Sequence, residues 1–282
     1  MKQGTALFSK TPGYRAFILI ASVLIGAFVF LPLLWMINTA LKPPDKTFTL
    51  SFFTTIPTLQ NFRNVITDVR ILTYLKNSLV VASLSSLFAT FISSLAGYSF
   101  SKFRYRGRKA FMVTIMLSQG FPNAILLLTI YMVMRRFKLL DNYLSLILSF
   151  ITFSLPVGTW TLKSFFDQIP DALIESAKID GASAVRIMRS IIFPLAVPGM
   201  ISIAIYSFIW SWNDLLYSLT LVTSAAKRTL APGLILTYMG EFQNNWANMM
   251  AASIVVSIPV TLMFIFLQRY FIQGLTTGSV KG

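Results

Sequence analysis

The amino-acid sequence predicts an all-α membrane protein with six transmembrane helices and both termini on the inner side. Three observations carry this reading. The 282 residues are 55% hydrophobic and only 12% charged, with a mean hydropathy of +0.70, whereas soluble domains carry about 25% charged residues. Six stretches with little or no charge are each long enough to cross roughly 30 Å of hydrocarbon, which takes about 20 helical residues. The basic residues gather in short clusters between those stretches rather than over one solvated face.

The first span is expected at 16–40. It is too long for a signal-peptide core and has no clean small-x-small cleavage site before a polar mature start, so it is read as a retained helix. "KPPDKTFTL" at 42–50 is a plain outer connector, followed by spans at 77–100 and 110–134. "SQGFPNA" (118–124) interrupts the third span with Gly120 and Pro122. There Gln119 and Asn123 either face a pathway or mark a packing kink satisfied by neighbouring helices. The fourth span is expected at 142–162, the fifth at 199–222 and the sixth at 249–267. None shows the period-two alternation of a barrel strand. Asp214 is the one acidic residue placed inside a span, where charge is expensive. With Asn213 it is a candidate to line a pathway. The alternative is an aspartate near the outer interface, beside Trp210 and Trp212 as interfacial anchors.

Positive charge orients the spans. With the N-terminus inside, 14 of the 24 basic residues fall in inner segments, and "SKFRYRGRK" packs five of them into 101–109. The net charge of +15 needs no nucleic acid to explain it, because no extended solvated basic face is available for phosphates. Cys and His are both absent, which removes thiol nucleophiles, Cys/His zinc sites, disulfides and the common His general base. There is no G-x-x-x-x-G-K-[ST] phosphate loop either.

The densest mixture of charges and helix breakers lies between spans four and five, in a loop at 165–198. "IPDALIESAKID" sets Pro170 at a helix start with Asp171 in the first turn. Leu173, Ile174, Ala177 and Ile179 supply a short apolar face, and Gly181 is a natural left-handed stop. "SAVRIMRSIIF" then forms a second helical stretch running into Pro194 and Pro198, where a bend would return the chain to the membrane. A helix of about ten residues is marginal alone in water and needs a surface to lie on. That surface is either lipid headgroups or another protein. The small residues Ser176, Ala177, Gly181 and Ala182 suit close protein approach.

"ESAKIDGASAVRIMRSIIFPLAVPG" (175–199) resembles the EAA loop of ATP-binding-cassette importer permeases, written E-A-A, D-G-A and P-x-x-x-P-G. Glu175, Ala177, Asp180, Gly181, Ala182, Pro194, Pro198 and Gly199 stand at matching positions, and Ser176 replaces the middle alanine. "SFIWSWNDLLYSLTLV" and the C-terminal "LQRYFIQGLTTGSVKG" are similar to the smaller permease subunit of the maltose-type carbohydrate-uptake branch. The resemblance implies a single transmembrane permease domain over 1–282, multi-pass in a bacterial or archaeal cytoplasmic membrane. It implies a homologous second permease, two ATPase subunits, an extracytoplasmic solute-binding protein and a saccharide substrate. It implies no cofactor in this chain, ATP and Mg residing on the ATPase, and a coupling role for Glu175, Ser176, Ala177, Asp180, Gly181 and Ala182.

The outer loop at 238–249 mixes Tyr238, Phe242 and Trp246 with Glu241, Asn245 and further amides. Aromatics beside amides suit a sugar, and they also suit any loop at a membrane interface. The resemblance implies that this loop reaches into the binding protein's cleft. For "GLTTGSVKG" it implies insertion between ATPase subunits, where a flexible end is the plainer reading. Two other classes compete with an importer permease. A self-contained secondary transporter or channel predicts internal repeats and ionisable groups at midplane, and an intramembrane enzyme needs paired catalytic groups within spans; neither pattern is evident.

Overall fold

A computed structural model describes residues 11–43, 46, 47, 49, 51, 53, 54, 56–240 and 245–277, the side chains of 271–277 excepted. Among the described residues the chain is all-helical, without a strand. In chain order the helices are α1 (Pro12–Leu41), α2 (Gln60–Thr67), α3 (Val69–Lys102), α4 (Arg108–Leu117), α5 (Asn123–Arg136) and α6 (Tyr143–Asp167). They continue as α7 (Asp171–Ile179), α8 (Ala184–Asn213), α9 (Leu216–Leu221), α10 (Leu230–Tyr238) and α11 (Trp246–Thr277). Five of them are long and apolar enough to cross a membrane, or six spans result if the bent pair α4 and α5 counts as one.

The chain forms two compact units, Met1–Thr67 with Tyr238–Val255, and Asp68–Thr237 with Val256–Gly282. In the first, Asn61 Nδ2 donates to the carbonyls of Ala40 and Lys42, at 2.8 Å each, and so closes the end of α1. Lys42 is buried, and its ammonium is satisfied by Thr49 O at 2.7 Å and by the face of Trp35. A buried ammonium without such partners would be costly.

In the second unit α3 and α6 pack along their length, with α8 against both. Apolar burial does not separate helix from lipid, so close approach through small residues has to hold such helices together. A Cβ on Gly97 would come within 2.9 Å of Lys163 N, and one on Gly158 would overlap Ser93. Ser154 and Ser207 share a hydroxyl hydrogen bond of 2.9 Å, and Ser86 Oγ donates to Ala204 O at 2.7 Å.

Two expectations change. The interruption in the third span is a break, with α4 and its following 3₁₀ turn at 105° to α5. Gly120 ends the 3₁₀ turn and Pro122 sits in the gap, where it lacks the N–H that would continue the ladder. The fifth span begins earlier and ends earlier than 199–222. Helix runs from Ala184 through both prolines; a π turn at Met188–Ile192 precedes Pro194, and Pro198 lies inside the α-helical stretch that follows. Phe193 N–H reaches back five residues to Met188 O, and Pro194, having no N–H, needs no partner where the register shifts. The helix ends at Asn213, and α9 is a separate short helix.

Candidate functional site

The segment after α6 is built as its sequence requires. Pro170 caps α7 and Asp171 occupies its first turn. At the far end Ala182 N–H bonds to Ala177 O at 2.9 Å and Gly181 N–H to Lys178 O at 3.0 Å, the paired bonds of a Schellman stop. Gly181 has φ +75°, which a side chain tolerates poorly. Ser183 then caps the start of α8 through Arg186 N–H.

Helical spacing divides the apolar residues between two faces. Ile174 and Ala177, three apart, are buried in a cluster with Tyr98, Leu162, Phe166 and Ile187, and Ala182 packs on its edge. Burying each large aliphatic side chain stabilises the seat by about 1.5–3 kcal/mol. Ile179, five residues beyond Ile174, turns outward and is 87% exposed, with Val185 at 67% and Leu173 at 44%. The predicted face is thereby corrected. Ala177 and Ala182 hold the helix from inside and do not lie on its open surface, whereas Glu175, Ser176, Asp180 and Gly181 are exposed. Among the described residues Glu175 has no salt-bridge partner.

A polar clasp ties the start of this helix to the end of α3, and the end of α3 to the end of α6. Lys102 Nζ donates to Ile169 O at 2.6 Å and to Asp171 Oδ1 at 2.7 Å, while Asp167 accepts from Ser101 Oγ at 2.7 Å and from Lys163 Nζ at 2.5 Å. The hydrogen bond from Lys102, and then its charge, hold the Asp171 carboxyl below the usual range. Sequence reasoning missed this clasp, because its partners are up to 69 residues apart.

The other end of α6 carries a second site that the sequence did not announce. Asp141, in a left-handed conformation at φ 54°, accepts through Oδ1 from Thr223 N, Ser224 N and Ser224 Oγ at 2.8–3.1 Å. Lys227 Nζ bridges its Oδ2 and its backbone carbonyl. The Ser224 backbone N–H, joined by the Ser224 hydroxyl and Lys227, pulls the Asp141 carboxyl far below the usual carboxylate range. Asn77 holds the same loop by donating to the carbonyls of Ala226 and Arg228, at 2.9 and 2.8 Å.

The expected pathway residues fall close to this second end. Asn213 and Asp214 line an open concavity of about 610 Å³ with Tyr206, Trp210 and Leu216. Asn213 Nδ2 folds back on Ile209 O at 3.0 Å, and Asp214 Oδ1 accepts from Ser218 N–H at 2.8 Å, so both are partly engaged by their own helices. Gln119 donates to Phe153 O at 3.3 Å, and Asn123 offers its carbonyl to Tyr217 Oη at 2.6 Å. Those two sit at the break between α4 and α5 and do not line that concavity.

In the loop at 238–249, Glu241 and Phe242 lie outside the described residues. Its two ends are tied by Asn245 N–H to Tyr238 O at 2.8 Å. Asn245 Oδ1 accepts from Asn248 N–H at 3.0 Å, a cap on α11 worth about 1 kcal/mol. Tyr238 is buried and Trp246 is 37% exposed. The C-terminal residues 278–282 also lie outside the described residues.

Three comparisons bear on this architecture. Residues 89–277 match the family described as binding-protein-dependent transport system inner membrane component. The chain is 34% identical over 264 residues to the diacetylchitobiose uptake system permease protein DasC of Streptomyces coelicolor, covering 93% of this chain and 95% of that one. It is 32% identical over 271 residues to the trehalose/maltose transport system permease protein MalG of Thermococcus litoralis, covering 95% and 97%. In fold it is similar to a chain of a bacterial importer of the acidic polysaccharide alginate, with a TM-score of 0.77 at 24% identity, over 93% of this chain and 98% of that one. With the matched region taking in α6, the exposed turn at Gly181 and all of α8, the chain belongs to the family of inner membrane components of binding-protein-dependent transport systems.

Proposed function

We propose that this chain is one permease subunit of an ATP-driven importer that receives a sugar or oligosaccharide from an external solute-binding protein. It is a single permease domain over 1–282 of six spans, the bent pair α4 and α5 forming the third, with both termini in the cytoplasm. A homologous second permease completes the pathway and two ATPase subunits supply the ATP and Mg, so the chain itself carries no catalytic group or cofactor. Relatives named for diacetylchitobiose and for trehalose and maltose support the saccharide class.

The observation that carries this reading is the open face of α7. A helix seated through Ile174 and Ala177, yet showing Ile179 and Glu175 outward, with Val185 of the adjoining first turn of α8 exposed beside the stop, suits a surface that another protein covers. In this mechanism ATPase closure pushes α7, and the rigid clasp at Lys102 and Asp167 passes the displacement to α3 and α6. The pathway is then opened alternately to each side.

The test is co-purification with the ATPase. Gly181→Pro forces φ from +75° to about −65°, and Glu175→Lys reverses an exposed charge. Both variants should remain in the membrane with the second permease and lose ATPase attachment. Normal attachment and transport in both would refute the docking role.

A further inference from the structure

The loop joining α3 to α4 carries more positive charge than its own contacts use. Lys102 is consumed by Ile169 O and Asp171. Arg108 Nη1 reaches Phe103 O at 3.0 Å, which folds the loop back on itself around Gly107 at φ +84°. Among the described residues Arg104, Arg106 and Lys109 are exposed and have no ion pair. Arg104, Arg108 and Lys109 line one concavity of about 470 Å³ together with Tyr105. Tyr105 and Phe111 both lean on the buried ring of Phe100, so the basic loop is held in shape by an aromatic brace.

A second groove of about 300 Å³ begins a turn further along the same helix. It is lined by Met112, Val113, Met116 and Leu117 of α4 and by Trp160 of α6. Lys109, Met112, Val113, Met116 and Leu117 recur at the three-and-four spacing of one helix face. At 1.5 Å per residue, Met116 lies roughly 10 Å along the axis from Lys109. A cationic concavity at one end and an apolar groove at the other describe a ligand with a charged head and a long apolar tail.

We infer that the α3–α4 loop and the adjoining face of α4 form a binding site for one anionic phospholipid, its phosphate held by Arg104, Arg108 and Lys109 and an acyl chain lying along Met112, Met116 and Trp160. Charge complementarity selects this occupant. Three cations with no acidic partner in their concavity favour a phosphate, and a groove of thioether, aliphatic and indole groups favours hydrocarbon. A zwitterionic headgroup would bring a compensating positive charge into the same concavity. The inference rests on the proposed topology only in placing residues 101–109 at a membrane face.

The test is native mass spectrometry of the detergent-purified transporter incubated with defined lipids. The unmodified protein should retain dioleoylphosphatidylglycerol about tenfold or more over dioleoylphosphatidylcholine, since each basic residue near an anionic surface contributes about fivefold. Dihexanoylphosphatidylglycerol should be retained poorly, and inorganic phosphate should not displace the long-chain lipid. The triple variant R104Q/R108Q/K109Q should fall to the phosphatidylcholine level, whereas R135Q/R136Q/K138Q, which removes an equal charge at the C-terminal end of α5, should not. Equal retention of the two dioleoyl lipids would overturn the site. So would displacement by inorganic phosphate, equal retention of the short-chain lipid, or equal loss in the two triple variants. Arg106→Cys separates topology from lipid binding. Labelling of that cysteine from outside intact cells would refute the orientation while leaving the lipid result standing.

Discussion

The two ends of α6 are finished in opposite ways. At the Asp141 end the carboxylate and the lysine beside it are answered within the chain. One carboxylate takes three donors on a single oxygen and a lysine on the other, and Asn77 occupies two further carbonyls of the facing loop. At the Asp167 end the polar clasp is equally well made, but α7 shows Ile179 and Glu175 to the outside, and the start of α8 shows Val185. The first carboxylate is satisfied from within, whereas the second end leaves an apolar surface open. On the proposed function a partner covers that surface, so stability at one end is paired with the proposed coupling role at the other.

The largest expected effect breaks the comparison at its open end. Ile179→Asp places a carboxylate at an 87% exposed position, so the thermal midpoint of the chain should stay within about a degree, surface substitutions being nearly neutral. If Ile179 anchors the interface, losing it costs about 2–4 kcal/mol, or about 30-fold to 1,000-fold in attachment of the ATPase. A titration of ATPase against immobilised permease reads that change. A lowered midpoint with unchanged attachment would reverse the assignment of the two ends.

At the closed end the expected losses run the other way. Asp141→Ala removes charge-assisted hydrogen bonds that contribute about 1.5–3 kcal/mol each and are not additive. A net destabilisation of about 2–3 kcal/mol is expected in denaturation of the purified chain, with ATPase attachment per folded molecule unchanged. The same carboxyl predicts a pH dependence. Its native pKa is depressed, so its contribution is fully present above the unfolded value of about 3.9 and is lost as pH falls through the native one. Asp141→Asn should flatten that acid limb, and an identical limb in the variant would remove Asp141 as its cause.

A smaller effect tests whether the loop at 238–249 receives a binding protein. Phe242→Ala and Trp246→Ala should each weaken stimulation of the ATPase by liganded binding protein by about 1–2 kcal/mol, or about 5–30-fold in a linked equilibrium. Basal activity and membrane level should hold. An unchanged stimulation curve in reconstituted bilayers would take this loop out of the mechanism.

What could be read in the sequence follows the range of the interactions. The short helix ending at Gly181 was legible because its signals are local: a proline before it, an aspartate in its first turn and a glycine at its stop. Which way Ala177 and Ala182 face was legible in principle from their spacing to Ile174, but their small side chains, and then the family motif, drew them to the docking surface. The 105° break between α4 and α5 was marked by Gly120 and Pro122 yet was expected as a kink, because composition reports a weak point and not an angle. The early start of α8 was hidden by two prolines that ordinarily end a helix; here a π turn precedes Pro194, and the helix continues through Pro198. Asp141 could not be found at all, since its partners lie 82–86 residues away and nothing in its neighbourhood sets it apart from any loop aspartate.

The central claim is that α7 is a docking surface, and thiol protection tests it most directly because the chain contains no native cysteine. Ser176→Cys is exposed on α7 and next to Glu175. In intact cells it should be silent to a membrane-impermeant maleimide. In inverted membrane vesicles it should react readily when the ATPase has been stripped away and be shielded when the ATPase is restored, while Asn245→Cys reacts only from the outside of intact cells. Equal labelling of position 176 with and without the ATPase, or any labelling of it from outside, would contradict the account.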